Sequence, residues 1–499
     1  MKRRRVTRSV WRWVSHCAAA FSAGVLSAGT LHAQSGNATV DSAAVARTSF
    51  GQAAATPTLR ETLPLVQRAA RAWPTQPAYW AATARIAARL SDSAAVRDAL
   101  TALLAMRASP SVVHDSAVAR VIAPPSFDAL RTAMASAAAP VARGRLLATI
   151  SDSTVFAEGI DAHPVSGALY VASIRHRTIL EVRADGHVRD LGVSRDARVG
   201  ALLGVRVAPD GASLYATTTA HPAMQTSHAA HTVGDTVVRD TVVRDAILRV
   251  RIADGAVTGQ WVVPDDGARH LLGDLAVDAR GVVYATDSYA PLLFMLRPDQ
   301  SMLTSMRHPL FRSLQGVAPV PGASRLLLAD YSHGLLRVDL DTRTVTRVID
   351  APGTTSLGID GIVLHGDAVI AVQNGVEPVR IARFMLDAEQ RQITRAEVLD
   401  QQPALADEPT IGTVWRGGFV YVANSQWEKY DDTGQRRAGT QLRPTFLICV
   451  PLDLVQNHRR DTPRRQAATT ASTGRKGTRN TDSAPPPSRA CNVSDAASP

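Results

Sequence analysis

The sequence predicts a mainly β protein, a six-bladed β-propeller preceded by a small α-helical module. Six apolar four-residue segments recur ahead of polar turns, and their second residues lie 45, 69, 43, 42 and 52 positions apart. A period of roughly 40 to 50 residues with several strands per period is typical of propeller blades. Residues from about 57 to 140 are rich in Ala, Leu and Arg instead, with apolar residues three and four apart, which predicts helices.

The first 33 residues predict a secretory signal peptide. Six basic residues precede an apolar stretch at 18–30, and the small residue Ala33 ends the segment. This order is typical of an exported precursor, so we expect a periplasmic or secreted protein. Twin-arginine export and an untranslocated basic arm are the alternatives. No apolar run reaches the roughly 18 residues that span a bilayer, so no transmembrane anchor is expected. Residues 34–56 are interpreted as a linker.

The helical module is assigned to 57–144. Residues 73–80 look like the turn between paired helices and resemble the tetratricopeptide pattern, but only one to one and a half repeats fit. A solenoid needs about three repeats, so we expect this module to pack on its neighbour. Binding of a protein partner through the module is the alternative. The predicted helices are 59–72, 77–90 and 94–106, the last with Asp92 or Ser93 as its cap.

The propeller is assigned to 145–455, with one recurring segment in each blade. The long second interval contains the duplicated Thr-Val-Val-Arg of 221–245, which predicts an inserted hairpin or a loop. An unpaired blade edge invites aggregation, so the ring must close. We expect 145–150 to add a strand to the last blade and 445–451 to supply its C-terminal strand. The recurring segments are 169–172, 214–217, 283–286, 326–329, 368–371 and 420–423.

The charge of the chain lies at its two ends. The formal net charge is +11, of which the leader carries six and the segment 456–499 five, so the body 34–455 is neutral. We therefore expect no nucleic-acid partner. Residues 456–499 hold few large apolar residues and predict a disordered basic tail. Cys449 lies in an apolar run and is expected to be a packing residue, and a bridge to Cys491 in the tail is the alternative.

Each innermost strand of a propeller begins near the central axis, about ten residues before the recurring segment. Oxygen-bearing side chains that converge there suit a hard cation such as calcium, which polarises a carbonyl group and lowers the pKa of a bound water. A nearby carboxylate then serves as a general base. The positions concerned are Glu158, Gly204, Gly273 or Asp274, Gln315, Asp360, and Pro409 or Thr410.

Three strings within these blades, at 156–160, 273–281 and 359–362, resemble the senescence marker protein/gluconolactonase (regucalcin-like) family of six-bladed propellers. The resemblance covers about 150–452. It implies hydrolysis of a lactone or a small ester, with one divalent cation, most often calcium, at the top of the central tunnel.

The resemblance also assigns roles to single residues. Glu158 and Asp360 match metal ligands of the family, and Asp360 is also its candidate catalytic base. Gln315 stands where the family has a ligand Asn, so it is the third expected ligand. Gly273 stands where the family has a second Asn and offers no side chain. Asp274 beside it is expected to contact substrate.

Two further residues are candidates for substrate binding. Asn424 lies in a polar segment after the last recurring segment, and His176 follows the first inner hairpin strand. The sequence contains no phosphate-binding loop, HExxH helix, CxxC pair or Gly-x-Ser-x-Gly elbow, which counts against nucleotide, zinc-protease, redox and serine-hydrolase chemistry. Two hypotheses therefore stand: an exported lactone or ester hydrolase that depends on a divalent cation, and a non-catalytic periplasmic binding or scaffold propeller.

Overall fold

Six four-stranded antiparallel sheets follow one another around a ring and form a six-bladed β-propeller, as predicted. The computed structural model describes residues 42–225, 231–233, 236–238, 243–452 and 490–491. The predicted signal peptide and nearly all of the predicted tail lie outside this part of the chain. Within the described residues, no helix is both long and apolar enough to cross a bilayer.

Helices precede the propeller between residues 42 and 138. The first begins at Ser42, inside the segment interpreted as a linker, because its alanines pack closely against the second helix. The second and fourth helices have side-chain caps: Thr58 accepts a hydrogen bond from the Glu61 amide, and Asp92 accepts one from the Ala95 amide. The helices are α1 (Ser42–Ala54), α2 (Leu59–Ala72), α3 (Pro77–Arg89), α4 (Ser93–Ala105), α5 (Ser116–Val121) and α6 (Asp128–Ala138).

The first three blades each run from an inner to an outer strand in chain order. Blade 1 contains β2 (Ala157–Ala162), β3 (Leu169–Ser173), β4 (Thr178–Val182) and β5 (Val188–Asp190). Blade 2 contains β6 (Ala201–Val207), β7 (Ser213–Thr219), β10 (Ala246–Arg251) and β11 (Val257–Val262). Blade 3 contains β12 (Leu272–Val277), β13 (Val283–Asp287), β14 (Leu292–Leu296) and β15 (Thr304–Arg307).

Blades 4 and 5 repeat this order, and blade 6 takes its outer strand from the start of the propeller. Blade 4 contains β16 (Leu314–Pro319), β17 (Arg325–Asp330), β18 (Gly334–Asp339) and β19 (Thr344–Arg347). Blade 5 contains β20 (Ile362–His365), β21 (Ala368–Gln373), β22 (Arg380–Leu386) and β23 (Ile393–Gln401). Blade 6 contains β24 (Gly412–Trp415), β25 (Gly418–Val422), β26 (Thr445–Pro451) and β1 (Arg145–Ile150).

The ring closes between β1 and β26. These strands pair antiparallel from Arg145 opposite Cys449 to Ile150 opposite Thr445, which confirms the predicted closure. The inserted segment of blade 2 was predicted to be a hairpin or a loop, and it contains a small hairpin. Its strands β8 (His231–Val233) and β9 (Thr236–Val238) pair antiparallel.

A disulfide bond joins Cys449 on β26 to Cys491, across 42 positions of sequence. The expectation that Cys449 serves only for packing is therefore wrong. The Cys491 amide donates to the Arg416 carbonyl at 3.3 Å, and an Arg145 Nη2–H donates to the Ala490 carbonyl at 2.6 Å. The sequence did not indicate this pairing, because Cys491 lies in a polar segment 42 positions after Cys449. Ala490 and Cys491 are thus held against the blade that closes the ring.

Removal of this bond is expected to destabilise the last blade. The double variant Cys449→Ala/Cys491→Ala should lose about 4 kcal/mol of unfolding free energy, because the bond closes a loop of 42 positions and so restricts the unfolded chain. Chemical denaturation of oxidised protein measures the loss. Reductant should lower the stability of the wild type and leave the double variant unchanged. An equal effect of reductant on both proteins contradicts the prediction.

Candidate functional site

A β-bulge lies at the start of the inner strand, or just before it, in each of the six blades. In blade 1 the pairing shifts between Ala157 and Ile160, so Glu158 and Gly159 together oppose one residue of β3. A bulge re-aims the side chains at its position. Blades 5 and 6 place two residues opposite Val372 and Val422 in the same way, through backbone hydrogen bonds. The pairing shifts of the other blades lie between Leu202 and Val205, Leu272 and Leu275, and Leu314 and Val317.

In each blade the bulge thus consists of two residues that face one residue of the neighbouring strand. The first residue of each such pair belongs to what we call the bulge ring. Its composition corrects the sequence analysis in blade 2, where Leu203 takes the position assigned to Gly204. It also selects Gly273 over Asp274 and Thr410 over Pro409 as the equivalent positions. The three expected metal ligands all belong to it. The ring consists of Glu158, Leu203, Gly273, Gln315, Asp360 and Thr410.

Glycine follows the ring residue in four blades because neighbouring inner strands almost touch there. A Cβ at Gly159 would lie 2.3 Å from the Leu203 carbonyl oxygen, and one at Gly361 would lie 2.9 Å from the Ile411 Cα. Neither distance is possible between real atoms, so a larger residue would force the blades apart. The glycines therefore allow the six inner strands to surround a narrow axis.

Glu158 is held by two donors from the loop of blade 6. Its side chain is 6% exposed, and its Oε2 accepts hydrogen bonds from the Ser425 hydroxyl at 2.7 Å and the Trp427 indole Nε1–H at 2.8 Å. Burial raises the pKa of Glu158 well above its usual range, and the charge of Asp360 raises it further. The two donors act in the opposite direction, because they favour the ionised carboxylate.

Asp360 lies in the same electrostatic environment. Burial raises the pKa of Asp360 to about 7. The Asn374 amide donates to the Asp360 Oδ2 at 2.7 Å and acts in the opposite direction, because it favours the ionised carboxylate. The same amide group donates to the Pro409 carbonyl at 2.9 Å, and its oxygen accepts from the Tyr331 hydroxyl at 3.2 Å. Asn374 therefore fixes the orientation of the carboxylate. The sequence analysis missed Asn374, although it follows directly after a recurring strand.

A third carboxyl group, that of Glu408, lies near Asp360 and was also missed. Burial raises the pKa of Glu408 to about 8, with further contributions from the charges of Glu428, Asp407 and Asp360. Its Oε2 accepts a hydrogen bond from the Glu428 amide at 3.2 Å. Its place two residues before the ring residue Thr410 is the signal that identifies it in the sequence.

Gln315 presents its amide oxygen beside Gly273. The oxygen accepts a hydrogen bond from the Ser288 hydroxyl at 3.3 Å, and a Cβ at Gly273 would lie 3.9 Å from it. The space that an asparagine would occupy at position 273 is thus bordered by Ser288 and Gln315. The structure places Gln315 in the ring with Glu158 and Asp360.

Asp274 lies in an ion pair and not in an open binding position. Its carboxylate is 2% exposed and contacts Arg206, with the Arg206 Nη2 at 3.2 Å from Oδ1. Burial raises the pKa of Asp274, while the Arg206 charge lowers it. The same guanidinium donates to the Ile160 carbonyl at 3.1 Å, so this pair connects the inner strands of blades 1, 2 and 3.

The two other candidates for substrate binding serve local structure. Asn424 is fully buried; its amide donates to the Pro444 carbonyl at 2.8 Å, and its oxygen accepts from the Phe446 amide at 2.8 Å. It therefore closes the base of the loop 423–444. His176 contacts the Thr154 hydroxyl at 3.0 Å on the hairpin turn of blade 1. The structure does not bring either side chain into hydrogen-bonding contact with Glu158 or Asp360.

The ring offers two carboxylates and one amide oxygen, which are the kinds of ligand that a hard cation prefers. Among the described residues, no three His, Cys, Asp or Glu side chains converge in the manner of a metal cluster. The charge of Asp360 raises the pKa of Glu158, and the charge of Asp274 raises the pKa of Asp360, so a cation beside these carboxyls would relieve repulsion. The residues thus fit a cation that has few protein ligands and several waters.

An aromatic cluster covers Glu158. Phe156 stacks on Tyr430 with ring centroids 4.9 Å apart, and Trp427 and His221 pack edge-on against it. Burial lowers the pKa of His221 to about 4, so this imidazole is neutral at physiological pH. We call the loop 423–444 the cover loop, because it brings Ser425, Trp427 and Tyr430 over the first ring residue.

Trp427→Phe should destabilise the protein more at pH 9 than at pH 5. The indole donor stabilises ionised Glu158, whose pKa is raised, so its contribution increases as that carboxyl loses its proton. A hydrogen bond to a charged group contributes about 1.5–3 kcal/mol, the loss expected at the higher pH. Denaturation in excess chelator at both pH values measures it. Trp415→Phe is the matched control, because the Trp415 indole donates at 2.8 Å to a neutral carbonyl, that of Gly167. Equal pH dependence of the two variants would refute the assignment.

Neither a protein-family model nor a curated protein matches the chain. Solved structures with similar folds include a gluconolactonase from Xanthomonas campestris, 17% identical, with 64% of this chain and 92% of that chain covered and a TM-score of 0.42. A calcium-binding regucalcin from Agrobacterium tumefaciens is 15% identical, with 61% and 95% covered and a TM-score of 0.39. Virginiamycin B lyase from Staphylococcus aureus is 12% identical, with 61% and 98% covered and a TM-score of 0.38. At these values the activity of the present chain has to be inferred from its own residues.

Proposed function

We propose that the chain is an exported hydrolase that opens a lactone or a small ester at the bulge ring. The observation that carries this proposal is the placement of Glu158, Gln315 and Asp360 at equivalent positions of blades 1, 4 and 5. These three side chains would hold one divalent cation, and their oxygen donors favour calcium. When bound, the cation supplies polarisation of the substrate carbonyl and a lower pKa for water.

Asp360 is the general base in this proposal. Asn374 holds Oδ2, which leaves Oδ1 to accept the proton of the attacking water. After the water oxygen bonds to the carbonyl carbon, the protonated Asp360 returns the proton to the leaving alkoxide as the carbon–oxygen bond breaks. Burial raises the pKa of Asp360 from its usual range toward neutrality, which brings it closer to the value that suits both roles.

The test of this function is hydrolysis of a panel of five- and six-membered lactones and aryl esters by the purified protein. Hydrolysis should stop on addition of chelator and return on addition of calcium, while magnesium and zinc serve as comparison ions. Glu158→Gln should weaken calcium binding in calorimetry. Hydrolysis that is insensitive to chelator and to substitutions at Glu158 and Asp360 would exclude the mechanism.

The proposed export rests on the predicted leader and on the disulfide bond. Bonds such as Cys449–Cys491 persist in oxidising compartments and are rare in the reducing cytosol. Fractionation of expressing bacteria, with N-terminal sequencing of the mature protein, tests the proposal. A protein found in the cytosol with an intact leader would contradict it.

A non-catalytic binding or scaffold propeller is the second candidate. Two observations favour it: Gly273 supplies no side chain to the ring, and the Oε2 of Glu158 already accepts two hydrogen bonds. In this case the helices would carry a surface for a protein partner. Affinity capture from envelope extract distinguishes the candidates, since a stable partner with no lactone turnover supports binding. Turnover without a partner supports the hydrolase.

A further inference from the structure

The helices pack against the segment that leads to Asp360. Leu357, three residues before it, is buried in one cluster with Trp73 and Tyr79 of the helical region. Seven residues earlier, Asp350 accepts a hydrogen bond from the Thr75 hydroxyl at 2.8 Å. The segment 350–359 therefore lies between the helical region and the inner strand of blade 5.

A buried arginine connects the end of α4 to blade 5. Arg380 is 4% exposed, and its Nη1 donates to the Met106 carbonyl at 3.2 Å and the Arg107 carbonyl at 3.0 Å. These carbonyls lie at the C-terminus of a helix, where the helix dipole favours a cation. The Arg380 Nε–H donates to the Gln373 Oε1 at 2.6 Å. The guanidinium thus orients Gln373 with respect to the helical region.

Gln373 in turn holds the segment before Asp360. Its amide nitrogen donates to the Thr355 carbonyl at 2.9 Å and the Leu357 carbonyl at 2.7 Å. The next residue along the chain is Asn374, which binds the Asp360 carboxylate. One continuous set of hydrogen bonds therefore runs from the helix end through two buried side chains to the backbone that precedes the candidate base.

We infer that Arg380 and Gln373 form a clamp through which the helical region positions Asp360 and Asn374. The clamp makes the helices a part of the site. The inference rests on the proposed function for its catalytic readout only, because the contacts themselves are independent of the reaction. A displacement of about 1 Å of a catalytic group can reduce turnover on the order of 100-fold, so small relaxation of the segment matters.

The test compares Arg380→Met with Arg337→Met. Both arginines are buried in the propeller, but Arg337 donates to the Glu389 carbonyl at 3.0 Å and is not a member of the clamp. We expect faster amide hydrogen exchange in 355–361 for Arg380→Met only. We also expect kcat for lactone hydrolysis to fall about 10- to 100-fold with KM nearly unchanged. Arg380→Lys should retain part of the protection of 355–361 from exchange and part of the wild-type kcat.

Each outcome decides the inference. Unchanged exchange in 355–361, or an equal increase in both arginine variants, overturns the clamp. Increased exchange with unchanged kcat shows a structural connection only and overturns the positioning role. If the wild type hydrolyses no lactone, the proposed function fails, and exchange alone decides the clamp. If Arg380→Met does not fold, Arg380→Lys supplies the same comparison with smaller changes.

Discussion

Replacement of Asp360 by Asn should lower kcat for lactone hydrolysis by about 10²- to 10⁴-fold, the usual contribution of a general base. The amide is similar in shape to the carboxylate but cannot accept the proton of water. Steady-state kinetics on the best lactone of the panel measure the loss, and circular dichroism checks the fold. Asp400→Asn is the matched control, because burial also raises the pKa of the Asp400 carboxyl, but this residue lies on the outer strand β23.

The pH dependence of the same reaction supplies an independent check. The base acts in its ionised form, so the wild-type rate should rise with pH and level off once Asp360 has lost its proton. Burial raises the pKa of Asp360 to about 7, and a bound cation lowers it, so the midpoint should lie below about 7. Asp360→Asn should remove this ascending limb from its residual activity, and Asp400→Asn should retain it. A wild-type rate that is flat between pH 4 and 8 would contradict the assignment of Asp360.

Arg206→Met should destabilise the propeller by about 3–5 kcal/mol, because it leaves the Asp274 carboxylate buried without its partner. Replacement of both members of a buried pair by apolar residues is far less costly, so Arg206→Met/Asp274→Leu should recover most of the loss. Urea denaturation of the three proteins at pH 7 measures these differences.

The control for this prediction is an ion pair whose arginine is exposed. Arg280 and Asp278 lie 2.8 Å apart with the arginine 60% exposed, and Arg280→Met should cost much less stability than Arg206→Met. If Arg206→Met costs no more than Arg280→Met, Asp274 does not depend on Arg206, and its interpretation as a substrate-binding residue regains support.

The blades and the closure of the ring were predictable because their signals are local and repeated. Each blade contributes its own apolar segment, and the counting of these segments identifies six blades without any knowledge of contacts between them. The strand 145–150 was also predictable, since a ring with an open edge is unfavourable. Helices α2, α3 and α4 followed from spacing and caps in the same way.

The partners of the site residues were not predictable, because they come from distant parts of the chain. Ser425 and Trp427 reach Glu158 across more than 260 positions. The ion pair of Asp274 with Arg206 joins two blades, and nothing in the sequence around either residue indicates the other. The spacing of strands indicated which positions lie near the axis, whereas the bulges determined which residue of each pair belongs to the ring.

The packing of the helical region was predictable in outline. The string at 73–80 predicted a turn between α2 and α3, which the structure contains. Because only one to one and a half repeats fit the chain, the helices were expected to pack on their neighbour. The contacts of Thr75, Trp73 and the end of α4 with blades 4 and 5 confirm this, although the sequence did not indicate which residues make them.

Closure of the ring through β1 and β26 has a consequence for the order of folding. Arg145 pairs with Cys449, so the sheet of blade 6 requires a strand made early in synthesis and a strand made some 300 residues later. Contacts of such high sequence separation slow folding, since a long loop must close before they form. Cys449 is on the later strand, beside this seam. Formation of its bond to Cys491 can therefore report, in a time course of oxidative refolding, the moment at which the propeller is complete.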